Sequence, residues 1–156
     1  MNDVLMDFYV NFKLDSDPAG HSIHYFNTIY SHALVDPDQK SNPTFRVKML
    51  QVKRVPKDLF DRKAVLLPYN KDTHWSGIAW VNFHTMKDEI PKSKILIFDS
   101  LLNYHHHNKL LDEWKTHICN VYISLFNIPE DGKKKIRMRF NSVETIRCCK
   151  VCDSLL

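Results

Sequence analysis

The residues best placed to do chemistry in this chain are His74 and Asp99. His74 opens the apolar run Trp75–Phe83, and Asp99 closes the run Ile95–Phe98. An imidazole held at one ring nitrogen by a carboxylate keeps a lone pair on the other nitrogen. That arrangement is the base a serine or cysteine nucleophile requires. If the two runs form an antiparallel pair, both residues stand at one end of a sheet. The register that sets them directly opposite pairs Phe83 with Ile90 and leaves 84–89 as the loop, and it puts both side chains on one face. The plain alternative is a histidine at a strand edge and an aspartate opening a turn.

Cysteines at 119, 148, 149 and 152 are the candidate thiols. Cys149 and Cys152 form a Cys-x-x-Cys, but a zinc site needs four ligands and no second matched pair occurs. A redox pair of this kind sits where a strand enters a helix, which nothing around 149–152 indicates. The tract His105-His106-His107 precedes a helical pattern. Adjacent residues in regular structure do not face one ion, so it reads as a solvated helix start. No metal site and no cofactor are expected. Only three glycines occur, and no phosphate-cradling glycine motif is present.

Several elements must position these residues. Residues 2–13 read as a helix capped by Asn2 or Asp3, with Val4, Leu5, Phe8 and Phe12 as its packed face. Asp15–Gly20 breaks it. Residues 22–34 read as a second helix capped by Ser22, with Ile23, Phe26, Tyr30 and Leu34 on one stripe. Residues 39–62 suit either helix or strand. Ala64–Leu67 is a short buried strand stopped by Pro68, while 75–83 and 94–99 are apolar on both faces and so covered on both. Residues 103–126 carry the strongest helical spacing, through Leu110, Leu111, Trp114, Ile118, Val121, Tyr122 and Leu125. Ile136, Met138 and Phe140 alternate with Lys135, Arg137 and Arg139, which predicts a half-buried strand with a basic outer face.

The chain has 156 residues, 44% of them apolar and 26% charged, with a net charge of +4. That fits one domain. The mild positive charge suits an acidic protein partner. The basic stripe at 133–139 lacks the aromatic platforms of a single-strand binder, so no nucleic-acid partner is expected. No apolar run approaches a membrane span. Nothing resembles a signal peptide, and the cysteines read as thiols of a reducing nuclear or cytoplasmic setting.

Four motifs, in order, carry a family resemblance. Met1–Tyr9 resembles the LND-x-x-I-x-F-Y opening of the ubiquitin-like-protein (SUMO/NEDD8) processing cysteine proteases, the C48 peptidases. Val65–Asn70 resembles their IPVN strand, His74-Trp75-Ser76 their HW, and Ile95–Leu101 their YYDSL. Phe26–Leu34 and 103–126 fall where that family has helices. The resemblance spans about 1–126, and the long hairpin loop 84–93 looks most like the SUMO-chain-editing branch. It implies a papain-like α+β fold, with a small, mostly antiparallel sheet flanked by helices. It also implies a Cys-His-Asp triad that cleaves peptide or isopeptide bonds after the Gly-Gly tail of a SUMO-type modifier, in a monomer. By motif, His74 is the base, Asp99 its orienter and Trp75 a substrate-tunnel residue.

The family nucleophile lies in Q-x(5)-D-C-G. Here Cys148-Cys149-Lys150 has no such Gln, Asp or Gly, and residues 133–156 diverge, which implies a C-terminally incomplete domain. Cys149 or Cys148 is then the stand-in nucleophile. The alternative function is a non-catalytic fragment that keeps a modifier- or protein-binding surface.

Overall fold

The apolar runs read from the sequence become neighbouring strands. The structure, a computed structural model, describes residues 2–35, 50–71, 74–99 and 107–148. In chain order the regular elements are α1 (Asp3–Ser16), β1 (Ile23–Tyr25), α2 (Thr28–Val35), β2 (Ala64–Lys71), β3 (His74–Val81), β4 (Lys94–Asp99), α3 (Asn108–Leu125), α4 (Glu130–Asn141) and β5 (Glu144–Cys148). The five strands form one sheet in the order β1-β2-β3-β4-β5. The β2–β3 and β3–β4 pairs are antiparallel, whereas β1 and β5 join the edges in parallel. The α+β class expected from the sequence is what forms, with a mixed sheet.

One face of the sheet carries the core. Val65 and Leu67 of β2, Ile78 and Trp80 of β3, and Ile95 and Ile97 of β4 alternate onto it and are buried. Against them lie Leu110, Trp114, Ile118 and Val121 of α3, and Ile136 and Phe140 of α4. Trp80 is the keystone, with its ring centroid 5.4 Å from that of Trp114 and 5.9 Å from that of Phe140. Burying side chains of this size supplies about 1.5–3 kcal/mol each, which offsets the cost of ordering the strands. No described helix is long and apolar enough to cross a membrane.

Four sequence expectations change here. The 135–141 segment is helical, inside α4, and not a strand. Ile136 and Phe140 are buried and Met138 is exposed, so spacing of four wins over spacing of two. Glu130 and Asp131 at its first turn suit the positive helix end. The residues expected to start the second helix at 22 instead form β1, and Asn27 caps α2 by accepting from Tyr30 N–H at 2.9 Å. β2 runs through Pro68, which pairs with Gly77. β1 covers only Ala64–Leu66, so the missing N–H at Pro68 falls beyond its partner. The segment 50–62 holds short 3-10 turns, while 39–49 and 103–106 lie outside the described residues.

The fourth change is the rotation of α1. Val4, Leu5, Phe8 and Phe12, expected inside, are all exposed, and no residue of α1 is fully buried. Asp7 sets that rotation. Its carboxylate accepts from Tyr25 Oη–H at 2.7 Å, Thr28 N–H at 3.0 Å and Thr28 Oγ1–H at 2.9 Å. Burial, with the Asp7 bond second, holds the Tyr25 phenol well above its ordinary titration range. Gly20 fixes the chain reversal after α1, because a Cβ there would stand 1.8 Å from the Leu14 carbonyl oxygen.

Replacing Asp7 by Ala strands these donors. The expected loss is about 1.5–3 kcal/mol, read by urea unfolding. A loss below about 0.5 kcal/mol, ordinary for a surface change, would show that Asp7 does not anchor α1.

Candidate active site

β3 begins at His74 and β4 ends at Asp99, and their side chains meet. His74 Nε2 lies 2.6 Å from Asp99 Oδ1, with the side chains 13% and 9% exposed. An ionised carboxylate only accepts, so Nε2 carries the proton of this bond and Nδ1 keeps the lone pair. The sequence reasoning had set the two residues directly opposite, but the register is shifted. Ser76 stands opposite Asp99, and His74 opposite Lys71. An even shift preserves the face of every side chain, so His74 and Asp99 become diagonal neighbours on the core-bearing face, still within reach. The shift arises in the connection. Asn82 takes a left-handed conformation (φ 51°) and ends β3 early, then Phe83–Lys87 forms a 3-10 turn, so Val81 pairs with Lys94.

Ser76 and His107 belong to the same cluster, and sequence reasoning missed both. Tyr69, Ser76 and Asp99 form one cross-strand row over β2, β3 and β4. His107, expected to be solvated, is 0% exposed. Its Nε2 lies 2.9 Å from Ser76 Oγ and 3.9 Å from Asp99 Oδ2. The only available hint was that α3 starts just after a segment leaving the end of β4.

Trp75 and Cys148 lie on the other face. Trp75 shares it with Gly77, Ala79 and Phe98. With Met6 and Val10 of α1 they line an apolar groove of about 280 Å³. Cys148 pairs with Phe98 in the parallel β4–β5 register, so it shares the face of Phe98, away from His74 and Asp99. As a nucleophile for His74, Cys148 therefore stands on the wrong side of the sheet. Cys149 lies outside the described residues, as do His105 and His106. Cys119 is buried between α3 and α4 beside Arg137, and burial pushes its thiol pKa up.

Other candidate bases differ in kind. His24 and His117 are held neutral, their pKa values lowered to about 4, chiefly by burial. Among the described residues no group of three or more His, Cys, Asp or Glu is arranged to hold a metal ion. The basic residues of α4 are partly engaged. Arg139 donates to the Met86 and Asp88 carbonyls at 2.9 Å, and Lys133 pairs with Glu130. Chemically, the His74–Asp99 pair can withdraw a proton from a thiol brought to Nδ1 and return it to a leaving amine.

Residues 1–152 match the Ulp1 protease family, C-terminal catalytic domain. In fold the chain is similar to a de-sumoylating protease, with a TM-score of 0.68 and 22% identity, over 95% of this chain and 53% of that one. The chain thus spans about half the length of that protease chain. It is also similar to XopD of Xanthomonas, from a structural study of substrate specificity in ubiquitin-like protein proteases. There the TM-score is 0.52 and the identity 14%, over 90% of this chain and 99% of that one. No curated protein matches the chain.

Thiol burial gives a direct check on this placement. Under iodoacetamide at pH 7.5, with peptide mapping, Cys119 is expected to react at least about tenfold more slowly than Cys148, because the thiolate is the reacting form. Equal rates would contradict the burial of Cys119.

Proposed function

Because the chain belongs to the Ulp1 protease family, we propose that it is a cysteine peptidase. It cleaves the peptide or isopeptide bond after the Gly-Gly tail of a ubiquitin-like modifier of the SUMO type. The observation that carries this reading is the 2.6 Å bond from His74 Nε2 to Asp99. It leaves the Nδ1 lone pair of a well-shielded imidazole as a base.

The chemistry follows from that lone pair. Nδ1 takes the thiol proton, and the thiolate attacks the carbonyl carbon of the terminal glycine. The C–N bond breaks, and the amine leaves with the proton from Nδ1. Water, deprotonated by the same nitrogen, then hydrolyses the thioester, and the thiol is restored. Asp99 keeps the tautomer and stabilises the imidazolium without taking the proton itself. Trp75, beside the base in sequence and lining the apolar groove, takes the substrate-tail role. The nucleophile falls to Cys149, which directly follows β5, the strand next to Asp99's own.

A second reading is favoured by the sequence around that thiol. Cys148 faces away from the base, and Cys149 lacks the following Gly that would open an oxyanion-binding helix end. In that reading the domain binds the modifier without cleaving it.

Hydrolysis of a SUMO C-terminal fluorogenic amide separates the two. With the wild-type protein, turnover is expected. His74→Ala should lower it by about 100- to 10,000-fold, Cys149→Ser should abolish it, and Cys148→Ser should leave it intact. Modifier binding with no turnover by the wild type would establish the second reading. Turnover that survives His74→Ala would defeat the role given to the base.

A further inference from the structure

A histidine buried as completely as His107 requires hydrogen-bonding partners that justify its place. It stands at the N-terminal boundary of α3, over the Tyr69–Ser76–Asp99 row. Its ring centroid is 6.0 Å from that of Tyr69, at 64°. The two oxygens of Asp99 are therefore flanked by different imidazoles: His74 meets Oδ1 at 2.6 Å, and His107 approaches Oδ2 at 3.9 Å.

The charges in the cluster give the hydrogen bonds a direction. A lone pair on His107 Nε2 would face a carboxylate oxygen in a shielded site, where repulsion is strong. A proton on Nε2 makes that contact attractive and is donated to Ser76 Oγ at 2.9 Å. The Ser76 hydroxyl then turns its own proton toward the Tyr69 carbonyl oxygen, 3.5 Å away. The final torsion of an Asp side chain is broad and nearly two-fold, so a hydrogen bond at Oδ1 does not by itself set how far the carboxylate can swing. A positive N–H edge on the Oδ2 side narrows that swing.

We propose that His107 is a positioning residue. Seated on Ser76 through Nε2–H, it braces the Oδ2 side of Asp99 so that Oδ1 stays on His74 Nε2. This role rests on the peptidase reading above, in which His74 is the base. It adds a requirement that the paired residues alone do not impose: the start of α3 must be packed on the sheet for the base to be aligned.

The test uses His107→Leu, which keeps bulk and removes the N–H, Ser76→Ala, which removes its seat, and His107→Gln, which offers an amide N–H instead. Two readouts are taken on protein whose Tm lies well above the assay temperature. One is kcat and KM on the SUMO C-terminal fluorogenic amide. The other is solvent exchange of the His74 Nε2 proton by NMR, which requires no activity.

The expected result is a fall in kcat of about tenfold or more in His107→Leu and Ser76→Ala, with KM within about twofold, because misalignment harms the chemical step. His107→Gln recovers most of the rate. Exchange of the His74 proton accelerates by a similar factor in the first two variants. Wild-type kcat and wild-type exchange in His107→Leu would overturn the proposal. So would a rate loss shared equally by His107→Gln with exchange unchanged, which is the pattern of a packing defect. If the wild type turns over no substrate, the peptidase reading fails, and exchange alone decides: faster in His107→Leu supports positioning, unchanged refutes it. Should His107→Leu not fold, Ser76→Ala carries the same two outcomes.

Discussion

One hydrogen bond organises the polar end of the sheet, from His74 Nε2 to Asp99 Oδ1 at 2.6 Å. It forms only if β3 starts and β4 ends at the same edge with the right faces turned together. The antiparallel pairing from Val81–Lys94 to Ser76–Asp99 secures both conditions. The pairing is held in turn by the packing of Trp80 on Trp114 and Phe140, which clamps the middle strand to α3 and α4. The same strands that carry the core residues carry the polar pair further along the pleat, so the packing that fixes the strands also fixes the spacing of His74 and Asp99.

The sheet also divides the chemistry between its faces. His74, Ser76 and Asp99 share the face that bears the core, with His107 over them. Trp75, Phe98 and Cys148 share the other, where Met6 and Val10 of α1 line a groove with Trp75 and Phe98. Asp7 sets the rotation of α1, and with it which side chains close the groove and which stay in solvent. The strand period of two, which makes the His–Asp pair possible, is also what excludes Cys148 from it.

Much of this was legible in the sequence, and the exceptions have physical causes. The runs at 64–67, 75–83 and 94–99 announced themselves because their apolar residues are nearly continuous, although only one face bears the core and Phe98 on the other is 49% exposed, so the second face is not covered as expected. Their ends, marked by His74 and Asp99, followed. The register was missed by two residues because it depends on Asn82 adopting a left-handed conformation and on a 3-10 turn, neither of which leaves a periodic signal. α4 was misread because seven residues with apolar positions at 136, 138 and 140 satisfy a strand, while only 136 and 140 are buried. The face of α1 was misread because its orientation comes from a tertiary carboxylate contact and not from its apolar stripe. His107 was hidden inside a histidine triplet, where composition points to solvent and only the packing of α3 buries it.

The measurement that tests this account most directly is the tautomer of His74, read from its ring 15N chemical shifts. It is best made on the neutral ring, identified by following the shifts as pH is varied, with Cys149 replaced by Ser so that no thiolate adds a second proton-sharing partner. The account predicts a protonated Nε2 and a lone pair on Nδ1. A protonated Nδ1 with the lone pair on Nε2 would contradict it, because the Asp99 bond would then not direct the base.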